Sequence, residues 1–324
     1  MQVFKFGGAS VKNAENIKNV TSIISKYKAS ELLVVVSAID KTTNKLEAIT
    51  KNYYHQNGDF YGLLEEVKKD HFEVLNDLFE DQTHPIYDDI INSFVEIEWI
   101  LEEEPQDPYD YLFDQIVSLG EILSSKILAA YCTHIGIATK WVDARDYICT
   151  DNTYREGIVD WQQTEDRIRK DLPEILDNHV IITQGFIGST SENFTTTLGR
   201  EGSDYSAAIF ASCLNAEDIT IWKDVPGVLN ADPKWFERTE LIPELSYTDA
   251  IELTYYGATV IHPKTIKPLQ NKKITLNVRS FINPEGAGTK IRTTNQTLPV
   301  PSFIFKVNQV FINILPRDFS FIVE

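Results

Sequence analysis

Residues 2–10 read QVFKFGGAS, a short apolar segment followed at once by two glycines and small polar residues. Such a run predicts a β-strand buried on both faces. Lys5 is the last outward-facing polar residue of this otherwise apolar strand. Glycines after a strand permit a tight turn into a helix and a close approach of the backbone to a ligand. The segment predicts the first strand of an α/β fold with Lys5 near its carboxyl end, where such folds bind ligands. A plain strand–helix turn with a solvated lysine is the alternative.

Similar apolar runs recur along the chain, with helical patterns between several of them. They occupy residues 31–36, 137–142, 179–183, 218–222 and 274–279. The alternation predicts an α/β fold with a mainly parallel sheet between helical layers, a three-layer αβα sandwich. Residues 59–104 break the alternation, because their apolar residues recur at helical spacing. We expect a helical insertion there, ended by the two prolines of the segment at 102–108.

Composition and charge exclude several classes of protein. The 324 residues are 43% hydrophobic and 24% charged, which is typical of a globular chain. The net charge of −18 opposes binding of nucleic acid or of an anionic membrane. Residues 85–114 carry ten acidic and no basic residues, interpreted as a solvated helical face and its loop.

The lack of a recognisable targeting signal and the spacing of the cysteines predict a cytoplasmic protein. No apolar run approaches 18 residues, and the N-terminus lacks the pattern of a signal peptide, so we expect no membrane span. The cysteines are Cys132, Cys149 and Cys213, which lie far apart without metal-ligand spacing. They are expected to be small buried residues in a reducing compartment.

Two further stretches combine glycines with charged and hydroxyl side chains. Residues 195–204 read TTTLGREGSD and precede an apolar helical pattern, so Ser203 or Asp204 is expected to cap a helix whose free N–H groups favour an anion. Arg200 adds a planar guanidinium suited to a carboxylate. Residues 222–234 read WKDVPGVLNADPK and predict a loop with a Pro-Gly turn. Ordinary helix capping and a plain loop remain the alternatives.

Together these stretches resemble the aspartate kinases of the amino-acid kinase family. The matching segments are KFGG (5–8), SLGE (118–121), TQGFIG (183–188), TTTLGREGSDYSAA (195–208), DVPGV (224–228), YYGATVIHP (255–263) and VRSFINPEGAGT (278–289). The resemblance implies a carbamate kinase-like fold over residues 1–295. It also implies an aspartate-binding lobe at about 1–215 and a nucleotide-binding lobe at about 216–295. Residues 296–324 would form a linker and the first strand of a truncated ACT regulatory domain.

The resemblance implies phosphorylation of the side-chain carboxylate of L-aspartate by ATP, the first step of lysine, threonine and methionine biosynthesis. A carboxylate with a reference pKa of about 3.9 is already ionised at pH 7, so no general base is needed. The protein must instead supply cations and backbone donors that bring two anions together. Mg²⁺ is expected to be bound mainly through the phosphates of ATP, and a homodimer is expected.

The resemblance also implies roles for individual residues. Lys5 would neutralise the transferring phosphoryl group, and Asp204 would orient Lys5 and the substrate. Arg200 would hold the α-carboxylate of the substrate, and Glu121 would pair with its α-amino group. The other substrate-binding positions are Ser37, Thr43, Phe186 and Ser203. The nucleotide-binding positions are Gly7, Gly8, Ser10, Lys223, Asp224, Gly227 and Lys234, and no residue is expected to bind a metal directly.

Several positions depart from the usual family pattern, mostly on the nucleotide side. The departures are Ala9 and Lys223 in place of threonine, Leu229 in place of tyrosine, Lys234 in place of arginine and Thr259 in place of lysine. They leave open how adenine is held, and they motivate a non-catalytic sensor of an amino acid or nucleotide as an alternative. A kinase for another amino acid is a second alternative, although Glu121 and Arg200 together favour a free α-amino acid.

Overall fold

The computed structural model describes residues 1–28, 31–256, 261–294, 301–304 and 310. Its helices are α1 (Ala14–Lys26), α2 (Thr42–Tyr54), α3 (Phe60–Leu78), α4 (Ile86–Glu102), α5 (Tyr109–Val117), α6 (Leu119–His134), α7 (Trp161–Leu176), α8 (Gly202–Cys213), α9 (Tyr247–Tyr256) and α10 (Pro263–Lys272). Its strands are β1 (Gln2–Phe6), β2 (Leu32–Val36), β3 (Thr139–Trp141), β4 (Val180–Gln184), β5 (Ile187–Ser189), β6 (Thr195–Thr197), β7 (Asp218–Lys223), β8 (Glu244–Leu245), β9 (Thr275–Ser280) and β10 (Thr289–Ile291).

Within the described residues, the main sheet has the strand order β3-β4-β2-β1-β7-β9-β10-β8. Its neighbouring strands run parallel except β9 and β10, which run antiparallel. β5 and β6 form a separate antiparallel pair. β1 lies at the centre, between β2 and β7, so its carboxyl end opens onto the middle of one edge of the sheet.

Successive side chains of the central strands enter two different apolar cores. Phe4 and Phe6 of β1 pack with the helices α1 to α6, whereas Val3 packs with Leu33 and Val35 in the core that contains α8. Because side chains alternate along a strand, Lys5 shares the face of Val3 and is directed toward α8. The predicted sandwich with a mainly parallel sheet and helices on both faces is therefore confirmed.

The predicted helical insertion is also confirmed. It consists of α3 and α4, and the Asp59 side chain caps α3 by accepting a hydrogen bond from the backbone N–H of Gly62. α4 ends at Glu102, before the two prolines.

The predicted cap of α8 was wrong, because the helix begins at Gly202 and Glu201 occupies the capping position with a φ of 55°.

The segment Tyr109–His134, which comprises α5 and α6, is long and apolar enough to cross a membrane by length and composition. Its most apolar window has a mean hydropathy of 1.3, and 78% of that window is buried inside the fold. Protein therefore covers most of its apolar surface, as in the core helix of a globular domain. The three cysteines are free and buried, as expected.

The predicted boundary at residue 295 concerns a part of the chain that is only partly described. The linker and first strand expected at 296–324 fall almost entirely outside the described residues. In the short described segment 301–304, the backbone N–H of Phe303 donates a hydrogen bond to the carbonyl of Asn230 at 2.7 Å. The two-lobe division and the truncated regulatory domain remain predictions.

Candidate active site

Three charged side chains meet where β1 and β7 end and α8 begins. Lys5 Nζ lies 2.7 Å from Asp204 Oδ1, and Lys223 Nζ lies 3.5 Å from Asp204 Oδ2. The parallel register that pairs Phe6 with Trp222 brings the ends of both strands to one level. Two cations therefore face one anion, and the cluster carries a surplus positive charge.

Asp204 is fully buried, and Lys5 is only 8% exposed. Burial alone would raise the pKa of the Asp204 carboxyl, but the ammonium groups of Lys5 and Lys223 outweigh burial and hold that pKa below its ordinary value. Asp204 is therefore ionised at neutral pH and is a poor proton acceptor. What the structure shows is its 2.7 Å ion pair with the ammonium group of Lys5.

A cleft of about 940 Å³ opens above this cluster. All eight residues that the sequence predicted for catalysis and substrate binding line it. They are Lys5, Ser37, Thr43, Glu121, Phe186, Arg200, Ser203 and Asp204. The sequence motifs thus converge on one space, even though they come from the ends of three strands and the starts of three helices.

Glu121, in the first turn of α6, places a buried carboxyl on the cleft wall. Its Oε1 accepts a hydrogen bond from the backbone N–H of Ala38 at 3.3 Å, whereas Oε2 has no hydrogen-bond partner among the described residues. A Cβ on Gly120 would lie 2.9 Å from the Cβ of Ala38, so glycine permits this close approach. The unpaired oxygen is suited to a cationic group of a ligand.

Burial raises the pKa of Glu121 to about 8, although the Ala38 N–H and Lys5 oppose the shift. The folded protein therefore holds a proton at Glu121 that the unfolded chain has lost at neutral pH. Because the folded-state pKa is the higher one, stability from this group is full below about pH 4.5 and is lost as pH rises through about 8.

Glu121→Gln should remove this pH dependence. Without ligand, we expect the variant to be more stable than the wild type at pH 8.5 by about 4 to 5 kcal/mol, with the difference falling to about 1 kcal/mol near pH 5. Urea unfolding between pH 5 and 8.5 measures it, with Glu104→Gln as an exposed control. Parallel pH curves for wild type and Glu121→Gln would show that the carboxyl is solvated.

The cleft wall opposite β1 comes from the turn between β6 and α8. Gly199 and Glu201 adopt positive φ angles of 75° and 55° on either side of Arg200, which is exposed at the cleft. Among the described residues, no carboxylate forms an ion pair with its guanidinium. A Cβ on Gly185 would lie 2.5 Å from the Cβ of Ser203, so the end of β4 packs directly against the first turn of α8.

The seven predicted nucleotide-binding residues are not gathered in the same way. Gly7, Gly8 and Ser10 form the turn after β1, and a Cβ on Gly8 would lie 2.7 Å from the Ala38 carbonyl oxygen. Lys223 belongs to the charged cluster. Of the remaining three, Asp224 and Lys234 are exposed, and Gly227 packs against Thr289. None of the seven is among the residues that line the cleft.

The sequence analysis missed one wall of the cleft. This wall includes Asp110 and Phe113 of α5 and the segment 153–156. The guanidinium of Arg155 lies 4.5 Å from the ring centroid of Phe113 and 3.4 Å from Asp110. No glycine-containing motif marks these residues, and the φ of 65° at Arg155 cannot be inferred from its residue type.

In the part of the chain that the structure describes, no group of three or more His, Cys, Asp and Glu side chains could hold a metal ion. Lys5 and Arg200, the latter without an ion pair among the described residues, give the cleft two cations that could bind an anion.

The charged cluster lies at the carboxyl edge of a mainly parallel sheet, where α/β proteins of this class bind their ligands. Comparison with known proteins narrows that class. The model of the amino acid kinase family matches residues 1–280, and the chain belongs to this family.

The curated relatives that match this chain include several aspartokinases. The chain is 32% identical to bifunctional aspartokinase/homoserine dehydrogenase 2 of Arabidopsis thaliana, over 96% of this chain and 35% of the relative. It is 30% identical to lysine-sensitive aspartokinase 3 of Escherichia coli, over 92% of this chain and 65% of the relative. The chain thus spans about a third of the bifunctional relative and about two thirds of the shorter one.

Solved structures of aspartate kinases also match this chain. The structure of E. coli aspartokinase III in complex with aspartate and ADP matches with a TM-score of 0.83 and 30% identity, over 91% of this chain and 65% of that one. The structure of Clostridium acetobutylicum aspartate kinase matches with a TM-score of 0.76 and 25% identity, over 92% of this chain and 64% of that one. A UMP kinase from Bacillus anthracis, 16% identical with a TM-score of 0.52, shares the fold.

Proposed function

We propose that this chain is the catalytic domain of an aspartate kinase, which transfers the γ-phosphoryl group of ATP to the side-chain carboxylate of L-aspartate. The observation that carries the proposal is that all eight predicted catalytic and substrate residues line one cleft. The aspartokinase relatives and the neighbouring structure with bound aspartate and ADP support the same substrates.

The chemistry requires two anions to approach each other, and the charged groups of the cleft suit that task. The Arg200 guanidinium would form a bidentate pair with the α-carboxylate of the substrate. Glu121 Oε2, which lacks a hydrogen-bond partner among the described residues, would accept a hydrogen bond from the α-ammonium group, whose positive charge would favour the ionised carboxylate that burial disfavours in the free protein. Lys5 would lie between the side-chain carboxylate and the γ-phosphate and would stabilise the charge that develops during transfer. Asp204 would hold Lys5 in place.

The nucleotide side of the proposal rests on fewer contacts. The turn at Gly7, Gly8 and Ser10 lies beside Lys5 and could offer backbone N–H groups to the phosphates, while Lys223 adds a second cation. Asp224, Gly227 and Lys234 would contact the nucleotide from the loop after β7. Mg²⁺ would be bound mainly through the phosphates of ATP and would lower their repulsion of the carboxylate. Homodimerisation and a cytoplasmic location remain predictions.

The intact ion pair between Lys5 and Asp204 favours a kinase over a non-catalytic sensor. A binding protein has no need to keep a lysine buried at the point where two anions would meet. The free Arg200 and the half-paired Glu121 favour a substrate with both a carboxylate and an amino group. These features disfavour carbamate and N-acetylated amino acids.

The assay that tests this proposal measures ADP release by the purified protein with MgATP and L-aspartate, and traps the acyl phosphate with hydroxylamine. We expect ADP and the hydroxamate to form in equal amounts, and only with L-aspartate. D-Aspartate, N-acetyl-L-aspartate and L-glutamate serve as matched controls. Turnover with L-glutamate instead would indicate another amino-acid kinase, and binding of L-aspartate without turnover would indicate a sensor.

A further inference from the structure

Three segments that line the cleft meet at one buried carboxylate, Asp114 of α5. Its Oδ2 accepts hydrogen bonds from the backbone N–H groups of Arg155 at 2.9 Å and Thr197 at 2.8 Å. Its Oδ1 accepts a hydrogen bond from the Thr197 hydroxyl at 2.7 Å. Asp114 closes the acidic run at 85–114, but it is fully buried rather than part of a solvated face.

Each of these segments leads to a different side chain of the cleft. Thr197 is the last residue of β6 and lies three residues before Arg200. Arg155 is itself a cleft residue, held at a φ of 65°. α5 continues almost directly into α6, whose first turn carries Glu121. One side chain thus links the backbones that position two arginines and a glutamate.

The Asp114 carboxylate has hydrogen-bond donors but no ion pair within the described residues. The guanidinium of Arg155 is directed away, toward Phe113, Asp110 and Glu47. A buried carboxylate held by two N–H groups and a hydroxyl is costly to desolvate, so structural stability alone gives little reason to place it there. Its geometry is that of a fixed acceptor that sets the relative position of two loops.

We propose that Asp114 is a positioning residue for substrate binding: it joins the turn that carries Arg200 to the segment that carries Arg155, and so fixes the spacing of these two walls of the cleft. This inference rests on the proposed function for its substrate. A bidentate pair with a carboxylate demands accurate placement, and a shift of about 1 Å in a positioning group can cost 10²-fold. Asp114 is not among the residues that line the cleft, so it would act through the backbone segments rather than by contact with the substrate.

Asp114→Asn and Thr197→Val test the role. The side chain of Asn carries an NH₂ group in place of one carboxylate oxygen, and this group would face a hydrogen-bond donor instead of accepting from it. Thr197→Val removes only the contact made by the hydroxyl group. We expect Asp114→Asn to raise the KM for L-aspartate about tenfold or more, with kcat and the KM for ATP changed less than about threefold. Thr197→Val should raise the same KM by a smaller factor.

The matched control is Asp218→Asn. Asp218 starts β7 and accepts hydrogen bonds from the side chains of Gln2 and Asn277, far from the cleft. Its variant should leave both KM values unchanged. An unchanged KM for L-aspartate in both Asp114→Asn and Thr197→Val would overturn the positioning role. An equal rise of the KM for L-aspartate and of the KM for ATP in Thr197→Val, the milder change, would also overturn the positioning role.

A second measurement separates this role from the identity of the substrate. Hydrogen exchange should be faster in Asp114→Asn than in the wild type for the amides of Arg155 and Thr197, and unchanged in α10. This result needs no turnover. If the wild type fails to use L-aspartate but exchange behaves as stated, the proposed function fails and the link between the loops stands. Unchanged exchange at both amides overturns the inference.

Discussion

Lys5→Ala is expected to lower kcat for phosphorylation of L-aspartate by about 10³-fold, because it removes the cation proposed to lie between the two reacting anions. The KM for L-aspartate should change by less than about threefold, since Arg200 and Glu121 would still hold the amino acid. Steady-state kinetics with a coupled ADP assay measures both constants.

The matched control for that experiment is Lys12→Ala, which removes an exposed lysine shortly after the same turn. It should retain wild-type kinetics. A Lys5→Ala variant with kcat near the wild-type value would mean that Lys5 is only the structural partner of Asp204. Loss of affinity for L-aspartate with an unchanged kcat would place Lys5 in substrate binding instead.

Asp204→Asn is expected to lower the free energy of unfolding by about 3 kcal/mol, because it leaves the buried ammonium of Lys5 without its counter-charge. Since two cations hold the pKa of Asp204 below its ordinary value, this stabilisation is present above about pH 4 and is lost as pH falls through the lower folded-state value. Urea unfolding between pH 3 and 8 measures the difference.

Asp107→Asn provides the exposed control and should stay within about 0.5 kcal/mol of the wild type. We expect Asp204→Asn to lose turnover as well, because Lys5 would no longer be held at the end of β1. Unchanged stability at pH 7 would contradict the buried ion pair. A difference that grows as the solution becomes more acidic would contradict the stated direction of the pKa shift.

Much of the fold and of the candidate site could be predicted from short motifs. Buried strands such as 31–36 have nearly continuous apolar runs, and the insertion has apolar residues at helical spacing, so local patterns were sufficient. Lys5 and Arg200 stood out because glycines or hydroxyl residues surround them. The resemblance to the aspartate kinases then assigned both residues to one site. That they share a cleft with Glu121 is a tertiary fact that no local pattern contains.

Other features depend on packing that residue types do not reveal. Ser203 and Asp204 are good capping residues by propensity, yet α8 begins at Gly202. There a Cβ would lie 2.7 Å from the Phe186 ring, so only glycine fits. Asp114 was interpreted as part of a charged surface because ten acidic residues cluster there. Its burial arises from the loop and strand that pack over α5.

The central claim is that a few cations bring a carboxylate and a triphosphate together in one cleft. A crystal structure of the protein with L-aspartate and a nonhydrolysable ATP analogue tests it most directly. We expect Arg200 within hydrogen-bond distance of the α-carboxylate and Lys5 Nζ in contact with both the side-chain carboxylate and the γ-phosphate. L-Aspartate bound with its side-chain carboxylate turned away from Lys5, or a γ-phosphate outside the reach of Lys5, would contradict the account.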